Sequence, residues 1–524
     1  THETCAYFGR GSQILHSACD SRGAVRIFLL KSASCHCATG SRRPSMIAPQ
    51  HQRSEDVNRL SLSLKFFIFV LAGVLPALGG LLAVTAQADP IDDYVALQMR
   101  RQHLPGVSLA VVQDGRVVKQ QAYGFADLEQ KVPVTPDTVF EIGSITKQFV
   151  AAALMTLVEQ GAIDLDQPAS RYLSDLPPAW HEVTVRQLLT HTSGIPDFEE
   201  ILGYGAYRTP TTAQQLIAVA AAKPMDFAPG TQWHYSNTGY YLLGLIIEKV
   251  SGAPYLSLIE KSILAPAGMK RTRSSVPTEV IAGRASGYAL EDDRLVNRDA
   301  IQPTAVGAAG DLVSTTGDLV QWNAMLDAQS VLTTESYAQT WTNHALADGS
   351  PSGYGFGWFV SPVRGHRVQE HSGGTAGFSA DILRLPDDRV TVIVLTNSYN
   401  ANPAGLASHI ATQFVPSLVY TTMPDTKPSL TRKLFDYYSH RLDREVYARD
   451  LTAEFAEKVR PRWEKGHDFY RALGPPLSME RVQRDTDDEA NSYRYRVRYG
   501  ETALIVVATV DGKGRIKNLK STEE

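Results

Sequence analysis

Two hairpin signals bracket a long, mostly helical stretch, and that order constrains the fold more than any other feature of the sequence. On one side Gly106–Val112 and Arg116–Tyr123 are β-rich runs joined by Asp114-Gly115, a dipeptide suited to a two-residue turn because both positions tolerate positive φ. On the other side Ala380–Leu385 and Arg389–Thr396 flank Pro386-Asp387-Asp388. Between them the clearest periodic segments are helical. One opens near Ser144, carries Phe149, Val150, Leu154, Leu157 and Val158, and stops at Gly161; two more cover Ala213–Ala222 and Tyr240–Ser251. A mostly helical middle is therefore expected to about residue 345. Strands at both ends with helices between predict a mixed α/β (α+β) domain whose terminal strands share one antiparallel sheet.

The chain has 524 residues, 43% hydrophobic and 20% charged, with a net charge of −4. That is ordinary globular material for two or three domains, without the basic excess a nucleic-acid partner needs. All four cysteines (Cys5, Cys19, Cys35, Cys37) fall in the first 37 residues, so the rest of the fold has no disulfide or thiolate metal site to rest on. The Cys35-His36-Cys37 cluster reads as incidental, and no metal or cofactor is expected. Residues 1–45 show no periodicity and read as a non-native or mis-called extension, with Met46 as a plausible start. Residues 46–88 have the plan of a secretory signal: Arg53, Arg59 and Lys65, an apolar run from Phe66 to Ala86, then Ala86-Gln87-Ala88. Pro76 and Gly79-Gly80 interrupt the run, which favours cleavage after Ala88 and a periplasmic or extracellular protein. The alternative is a membrane anchor at residues 66–86, a run close to the ~20 residues a span requires.

The folded chain then divides into a domain at 89–422, a linker at 423–428 around Pro424-Asp-Thr-Lys-Pro428, and a small α+β module at 429–524. In the module a helix is expected over Leu451–Leu473, with strands at Ser492–Tyr499, Ala503–Val510 and Arg515–Leu519. The Tyr493-Arg-Tyr-Arg-Val-Arg-Tyr499 stripe alternates arginine with aromatic or apolar residues. Period two places the arginines on one face, as in a half-buried strand. Asp485, Asp487, Asp488 and Glu489 offset their charge, so no nucleic-acid partner is expected.

Three short motifs carry chemistry. Ser144 and Lys147 stand three residues apart at a helix start, where i and i+3 share a face; a desolvated lysine can take the proton of a serine hydroxyl. Tyr235 and Asn237, two apart in Trp233-His-Tyr-Ser-Asn237, can face one pocket. The tyrosine offers a second proton acceptor near a lysine ammonium, and the asparagine a hydrogen bond to the lysine or a substrate amide. His371-Ser372-Gly373-Gly374 opens the strand leading into the final hairpin. Glycine in a strand marks a close backbone approach, here read as that of a substrate. The Gly374 and Ser144 amides can form an oxyanion cradle, and His371 can bind a substrate carboxylate when protonated or donate a hydrogen bond when neutral. His181 and His191 lack metal-ligand spacing, and Leu188–Gly194 reads as a structural turn beside the cleft.

The order Ser144-x-x-Lys147, Tyr235-x-Asn237, His371-x-Gly373 resembles the serine β-lactamase and penicillin-binding superfamily. Leu188–Gly194, Gly310–Thr316 and Tyr354–Trp358 resemble its class C-like branch, over roughly residues 91–420. The resemblance implies a β-lactamase/transpeptidase-like antiparallel sheet domain with a helical domain packed on it, the cleft lying between. It implies Ser144 as the acylated nucleophile, Lys147 and Tyr235 sharing base and acid work, and Asn237, His371, Ser372, Gly373 and Gly374 holding substrate. The third motif departs from the Lys-Thr-Gly of dedicated class C-like β-lactamases, and Glu199-Glu200 lacks the surroundings of the class A deacylation motif. The chain is thus expected to be an exported serine hydrolase acting on an ester or a D-amino-acid peptide, its partners being small-molecule or peptide substrates and peptidoglycan fragments. The alternatives are a class C-like β-lactamase and a non-catalytic binder of peptidoglycan fragments.

Overall fold

The two hairpins meet in one sheet. The computed structural model describes residues 89–441, 449–459, 470, 471, 473–483, 491–500 and 502–523. The extension at 1–45, the signal segment at 46–88 with its 66–86 run, all four cysteines, and Asp485, Asp487, Asp488 and Glu489 lie outside these residues.

Strands β1 (Gly106–Gln113), β2 (Arg116–Asp127), β3 (Val132–Pro133), β4 (Gln369–Gly374), β5 (Ser379–Leu385) and β6 (Val390–Thr396) form a sheet in the order β3-β2-β1-β6-β5-β4. The β1–β2 turn uses Asp114 and Gly115 at φ 53° and 73°. β1 runs antiparallel to β6, from Val107 opposite Thr396 to Gln113 opposite Val390, which is the expected closure of the terminal strands.

Both faces of this sheet are covered, so its central strands are apolar in unbroken runs. On one face Val107, Leu109, Val111, Leu383, Val392 and Val394 pack with helices α1 (Pro90–Gln102) and, C-terminal to the sheet, α5 (Pro403–Thr412). On the other, Ala110, Ile382, Ile393 and Leu395 belong to the main core with α2 (Thr146–Glu159), α3 (Asn237–Ser251) and α4 (Thr316–Asp327). Helix α2 is buried continuously from Thr146 to Met155, the mark of a central helix with no solvent face. Each such Val, Leu or Ile side chain contributes about 1.5–3 kcal/mol. Lys147 sits in this apolar environment.

The middle is less purely helical than expected. A hairpin pairs Gly287–Glu291 with Arg294–Arg298, turning on Asp292 and Asp293 at φ 46° and 59°. A small sheet joins Phe140–Glu141, Leu312–Ser314 and Arg273–Ser274. Strands of two or three residues are too short to carry a period in the sequence.

The C-terminal module is a sheet of β7 (Ser478–Arg481), β8 (Ser492–Tyr499), β9 (Thr502–Val510) and β10 (Ile516–Glu523) in chain order. Helix α6 (Pro428–Ser439) packs on it through Leu430, Leu434, Tyr437 and Tyr438. Pro428, read as linker, is the first residue of that helix, where its missing N–H costs nothing. The chain just before it is also engaged: the Met423 amide donates to the Arg481 carbonyl at 2.9 Å, and the Gln483 amide to the Thr421 carbonyl at 3.0 Å. Of the stretch expected to be helical at 451–473, residues 453–459, 470, 471 and 473 are helix, and 460–469 and 472 lie outside the described residues. Tyr495, Val497 and Tyr499 enter the module core. The opposite face carries Arg496, which is buried and hydrogen-bonded to Glu480 Oε1 (2.7 Å) and to the Tyr420 carbonyl (2.6 Å).

Candidate active site

The nucleophile's turn is shaped by glycine. Gly143 has φ +48° and opens a 3₁₀ turn, Gly143–Ile145, that feeds directly into α2. Ser144 is half-buried while both of its neighbours are fully enclosed. Strand β4 lies against this turn. A Cβ at Gly373 would sit 1.9 Å from the Ile142 carbonyl oxygen, and one at Gly143 2.7 Å from the Gly374 nitrogen. The close approach read from the glycines is therefore real, but at Gly373 it is made by the nucleophile's own turn rather than by a substrate. The Gly374 amide lies beside Gly143 at the exposed end of the strand.

Lys147 stands on the first turn of α2. Its Nζ lies 2.9 Å from Ser144 Oγ, 2.8 Å from Asn237 Oδ1 and 2.7 Å from the Ala309 carbonyl oxygen. Burial brings its pKa down to about 7, against the opposing pull of the Glu199 and Asp197 carboxylates. Helix α2 is fixed from outside by the Tyr354–Trp358 segment, where Gly357 at φ +79° lets the chain pass so close that a Cβ would lie 2.8 Å from the Lys147 carbonyl oxygen.

Tyr235 and Asn237 arrive on the segment entering α3, whose N-cap is Ser236. The Nζ of Lys147 lies 4.7 Å from the Tyr235 ring centre. The Tyr235 hydroxyl is buried without a hydrogen-bond partner among the described residues. Burial pushes its phenol well above the ordinary value, and the Ser144 hydroxyl beside it acts in the opposite direction. The motif read as a structural turn supports this segment from below. The His234 amide donates to the His191 carbonyl at 2.9 Å, the Ser236 amide donates to His191 Nδ1 at 3.0 Å, and the His191 ring lies 4.3 Å from that of Tyr235. His181 Nε2 meets the Leu176 carbonyl at 2.9 Å.

His371 needs correction as a substrate-binding residue. It is 1% exposed, and both ring nitrogens are used within the chain: Nδ1–H donates to the Ser372 carbonyl at 2.6 Å, and the Tyr354 hydroxyl donates to Nε2 at 2.7 Å. Burial, with the neighbouring Lys147 charge, lowers its pKa to about 3. Position 371 thus supplies no cation and no free donor. Ser372 faces solvent from the other side of the strand, open to a ligand. Next to Gly374, whose added Cβ would meet the Tyr204 hydroxyl at 3.6 Å, a cavity of about 260 Å³ is lined by Tyr204, Gly205, Arg208, Arg298, Ala376 and Tyr399.

Three further groups were not legible as parts of the site. Ala309 contributes only its carbonyl, which a sequence does not display. Asp197 and Glu199 flank the start of the short helix Phe198–Leu202, and both accept from Asn237 Nδ2, at 3.3 Å and 2.8 Å. The available signal was an aspartate placed as an N-cap, three residues past the Thr190–Gly194 turn; nothing local tied it to Asn237.

A family model described as Beta-lactamase matches residues 91–413, more than half of the chain. Penicillin-binding protein 4* of Bacillus subtilis (strain 168) is 31% identical over 308 residues, covering 55% of this chain and 67% of that protein. Among solved structures, an octameric penicillin-binding protein homologue from Pyrococcus abyssi superposes with a TM-score of 0.57 at 25% identity. It covers 83% of this chain and 98% of its own, so that likeness extends past the residues of the family match. D-amino acid amidase from Ochrobactrum anthropi SV3, solved with D-phenylalanine, gives 0.55 at 28% identity, covering 63% of this chain and 96% of that one.

Proposed function

The chain belongs to the β-lactamase family of serine hydrolases, and from that membership we propose that it is an exported enzyme that forms an acyl-enzyme on Ser144 from an ester or a D-amino-acid peptide or amide. The observation that carries this reading is the hydrogen-bond set of Lys147. A neutral amine has two N–H donors and one lone pair, and Asn237 Oδ1 and the Ala309 carbonyl can only accept. With both hydrogens taken there, the lone pair is left facing Ser144 Oγ at 2.9 Å, the arrangement that removes its proton. A pKa of about 7 keeps much of the lysine neutral at physiological pH.

Ser144 Oγ then attacks the acyl carbonyl while its proton passes to Lys147. The developing oxyanion lies toward the Ser144 and Gly374 amides. As the tetrahedral intermediate collapses, the leaving oxygen or nitrogen takes a proton from Lys147 through the Tyr235 hydroxyl. Because burial holds that phenol protonated, Tyr235 relays a proton rather than acting as a phenolate base. Water repeats the sequence on the acyl-enzyme and restores Ser144.

The substrate class rests on the D-amino acid amidase likeness and on the neutral His371, which offers no fixed charge for an antibiotic's carboxylate. The tyrosines of the cavity beside Gly374 suit an aromatic substrate better than a bare alkyl chain, while its arginines, Arg208 and Arg298, are ion-paired with Asp299 and Glu291. The B. subtilis relative's name favours a second reading, acylation of the same serine by a β-lactam; without a cation at 371, slow turnover is expected. Export rests on the basic, apolar and small-residue pattern from Arg53 to Ala88.

Intact-mass and peptide analysis after treatment with an alkyl fluorophosphonate tests the mechanism: the adduct is expected on Ser144 and absent from Ser144→Ala. A wild-type protein that never labels refutes it. A panel of esters, D-amino-acid amides and a chromogenic cephalosporin then ranks the substrates.

A further inference from the structure

Asn237 uses all of its amide. Its carbonyl oxygen accepts from Lys147 Nζ, while its two N–H groups are directed to Glu199 Oε2 at 2.8 Å and Asp197 Oδ2 at 3.3 Å. A primary amide can be turned end for end with almost no change in shape, so something must select which end meets the lysine. Turned over, Asn237 would point N–H groups at the N–H groups of Lys147 and its carbonyl at two carboxylates. Both contacts would be repulsive. The carboxylates are themselves anchored: Asp197 Oδ1 accepts from the Glu199 amide at 3.1 Å, and the Tyr207 hydroxyl donates to Glu199 Oε2.

We propose that Asp197 and Glu199 are positioning residues of the hydrolytic site, gripping the NH2 end of Asn237 so that its carbonyl meets Lys147 and placing two negative charges where Lys147 receives the Ser144 proton. The proposal rests on Ser144 as nucleophile and Lys147 as its base. The other ionisable groups facing the lysine are Tyr235 and Tyr240, with the Nζ 4.7 Å and 5.4 Å from their ring centres, and the buried His191 and His371. Burial holds both phenols protonated and both imidazoles neutral. The charges that oppose the burial of Lys147 are therefore those of Glu199 and Asp197; burial raises the Asp197 carboxyl to about 6, so its charge is present through the Lys147 midpoint and is lost below it.

The orientation and the charge can be separated by measuring Ser144 labelling with an alkyl fluorophosphonate across pH. In that reaction the Oγ–P bond forms, fluoride leaves, and the serine proton goes to Lys147, so the rate follows the neutral lysine whatever the natural substrate is. Glu199→Gln retains an acceptor for Asn237 but removes a charge. The midpoint of the pH–rate curve is expected to fall by about one unit, the lower end of what a nearby opposite charge produces, since Asn237 stands between the two groups. Asp197→Asn is expected to shift the midpoint the same way, and the double variant further than either. Glu199→Asp keeps the charge, and its midpoint is expected to stay with the wild type even if its plateau rate drops. A merely structural role would lower the plateau or the thermal stability without moving the midpoint. Curves that share the wild-type midpoint in both single neutral variants overturn the proposal; should one fail to fold, the other decides alone. A wild type that does not label at all overturns instead the assignment of Ser144.

Discussion

Gly373→Ala gives the sharpest test of how strand β4 builds the site. The Cβ it adds would lie 1.9 Å from the Ile142 carbonyl oxygen, 2.9 Å from the Ile142 carbonyl carbon and 3.1 Å from the Ser144 nitrogen. All three are backbone atoms, so no side chain can swing away. A contact under 3.0 Å is essentially never sustained, and the strand and the nucleophile's turn must part by roughly 1 Å. Overpacking of this kind costs about 1–3 kcal/mol, and with only backbone to yield the upper end applies, a fall in Tm of about 4 °C for a domain of this size. The larger effect falls on the chemistry. The same 1 Å separates the Gly374 amide from Ser144, and displacement on that scale costs about 10²-fold in rate. Thermal unfolding followed by circular dichroism reads the first quantity, and the rate of Ser144 labelling by a fluorophosphonate reads the second. Gly374→Ala is the control for packing: its Cβ would meet only the Tyr204 hydroxyl at 3.6 Å, an ordinary contact, and its Tm is expected within about 1 °C of the wild type. Wild-type Tm and labelling in Gly373→Ala would refute the close packing of β4 on the turn, as would a greater loss of stability in Gly374→Ala.

Labelling of the wild type should rise with pH through a midpoint near 7, where Lys147 releases its proton. A midpoint that follows substitution of His371, whose pKa lies near 3, would instead make the histidine the titrating group. Lys147→Met should abolish labelling while raising Tm at pH 6 by on the order of a few degrees, since it removes a buried ammonium. The sign follows from linkage. The folded pKa lies below the unfolded value of 10.5, so between about pH 7 and 10.5 the unfolded chain holds a proton the folded one has lost. Wild-type stability therefore rises with pH across that window, and the advantage of the methionine variant should shrink toward pH 10. An advantage that grows with pH would contradict the burial of the lysine.

What could be read from the sequence was what local rules determine. Asp114-Gly115 and Pro386-Asp387-Asp388 announce their turns because turn chemistry is a matter of two to four residues, and the flanking strands are long enough to show their composition. The apolar pattern predicts helix α3 over Tyr240–Ser251, but the helix begins at Asn237. Ser236 caps it through the Gly239 amide at 3.2 Å, and the polar opening turn hides the start from an apolar pattern. The short strands Phe140–Glu141 and Leu312–Ser314 left no period to detect. In the site, Ser144, Lys147, Tyr235 and Asn237 were legible because their spacing survives as motif. His371 was legible as a position but not in its behaviour. Whether an imidazole is free or fully bonded depends on Tyr354, seventeen residues earlier, and on the Ser372 carbonyl. Asp197 and Glu199 stayed hidden because their link to Asn237 exists only after α3 and the Phe198–Leu202 helix have packed.

Under the proposed mechanism, the environments of His371 and Lys147 give a physical reason for a lysine rather than a histidine as the base. Both side chains are buried in one neighbourhood, and burial penalises the charged form of each. The histidine starts near 6.5 and falls to about 3, because the neighbouring lysine charge adds to the effect of burial. At neutral pH its lone pair is consumed by Tyr354, and a group that weakly basic has little drive to accept a proton. The lysine starts near 10.5 and stops at about 7, because two carboxylates act against its burial. General-base catalysis is most effective when the base has a pKa near the working pH. A buried imidazole overshoots that point downward, whereas a buried amine opposed by negative charge stops close to it. The apolar core around α2 and the Asp197–Glu199 pair behind Asn237 are thus two halves of one adjustment, and removing either moves Lys147 away from the pH at which it can serve Ser144.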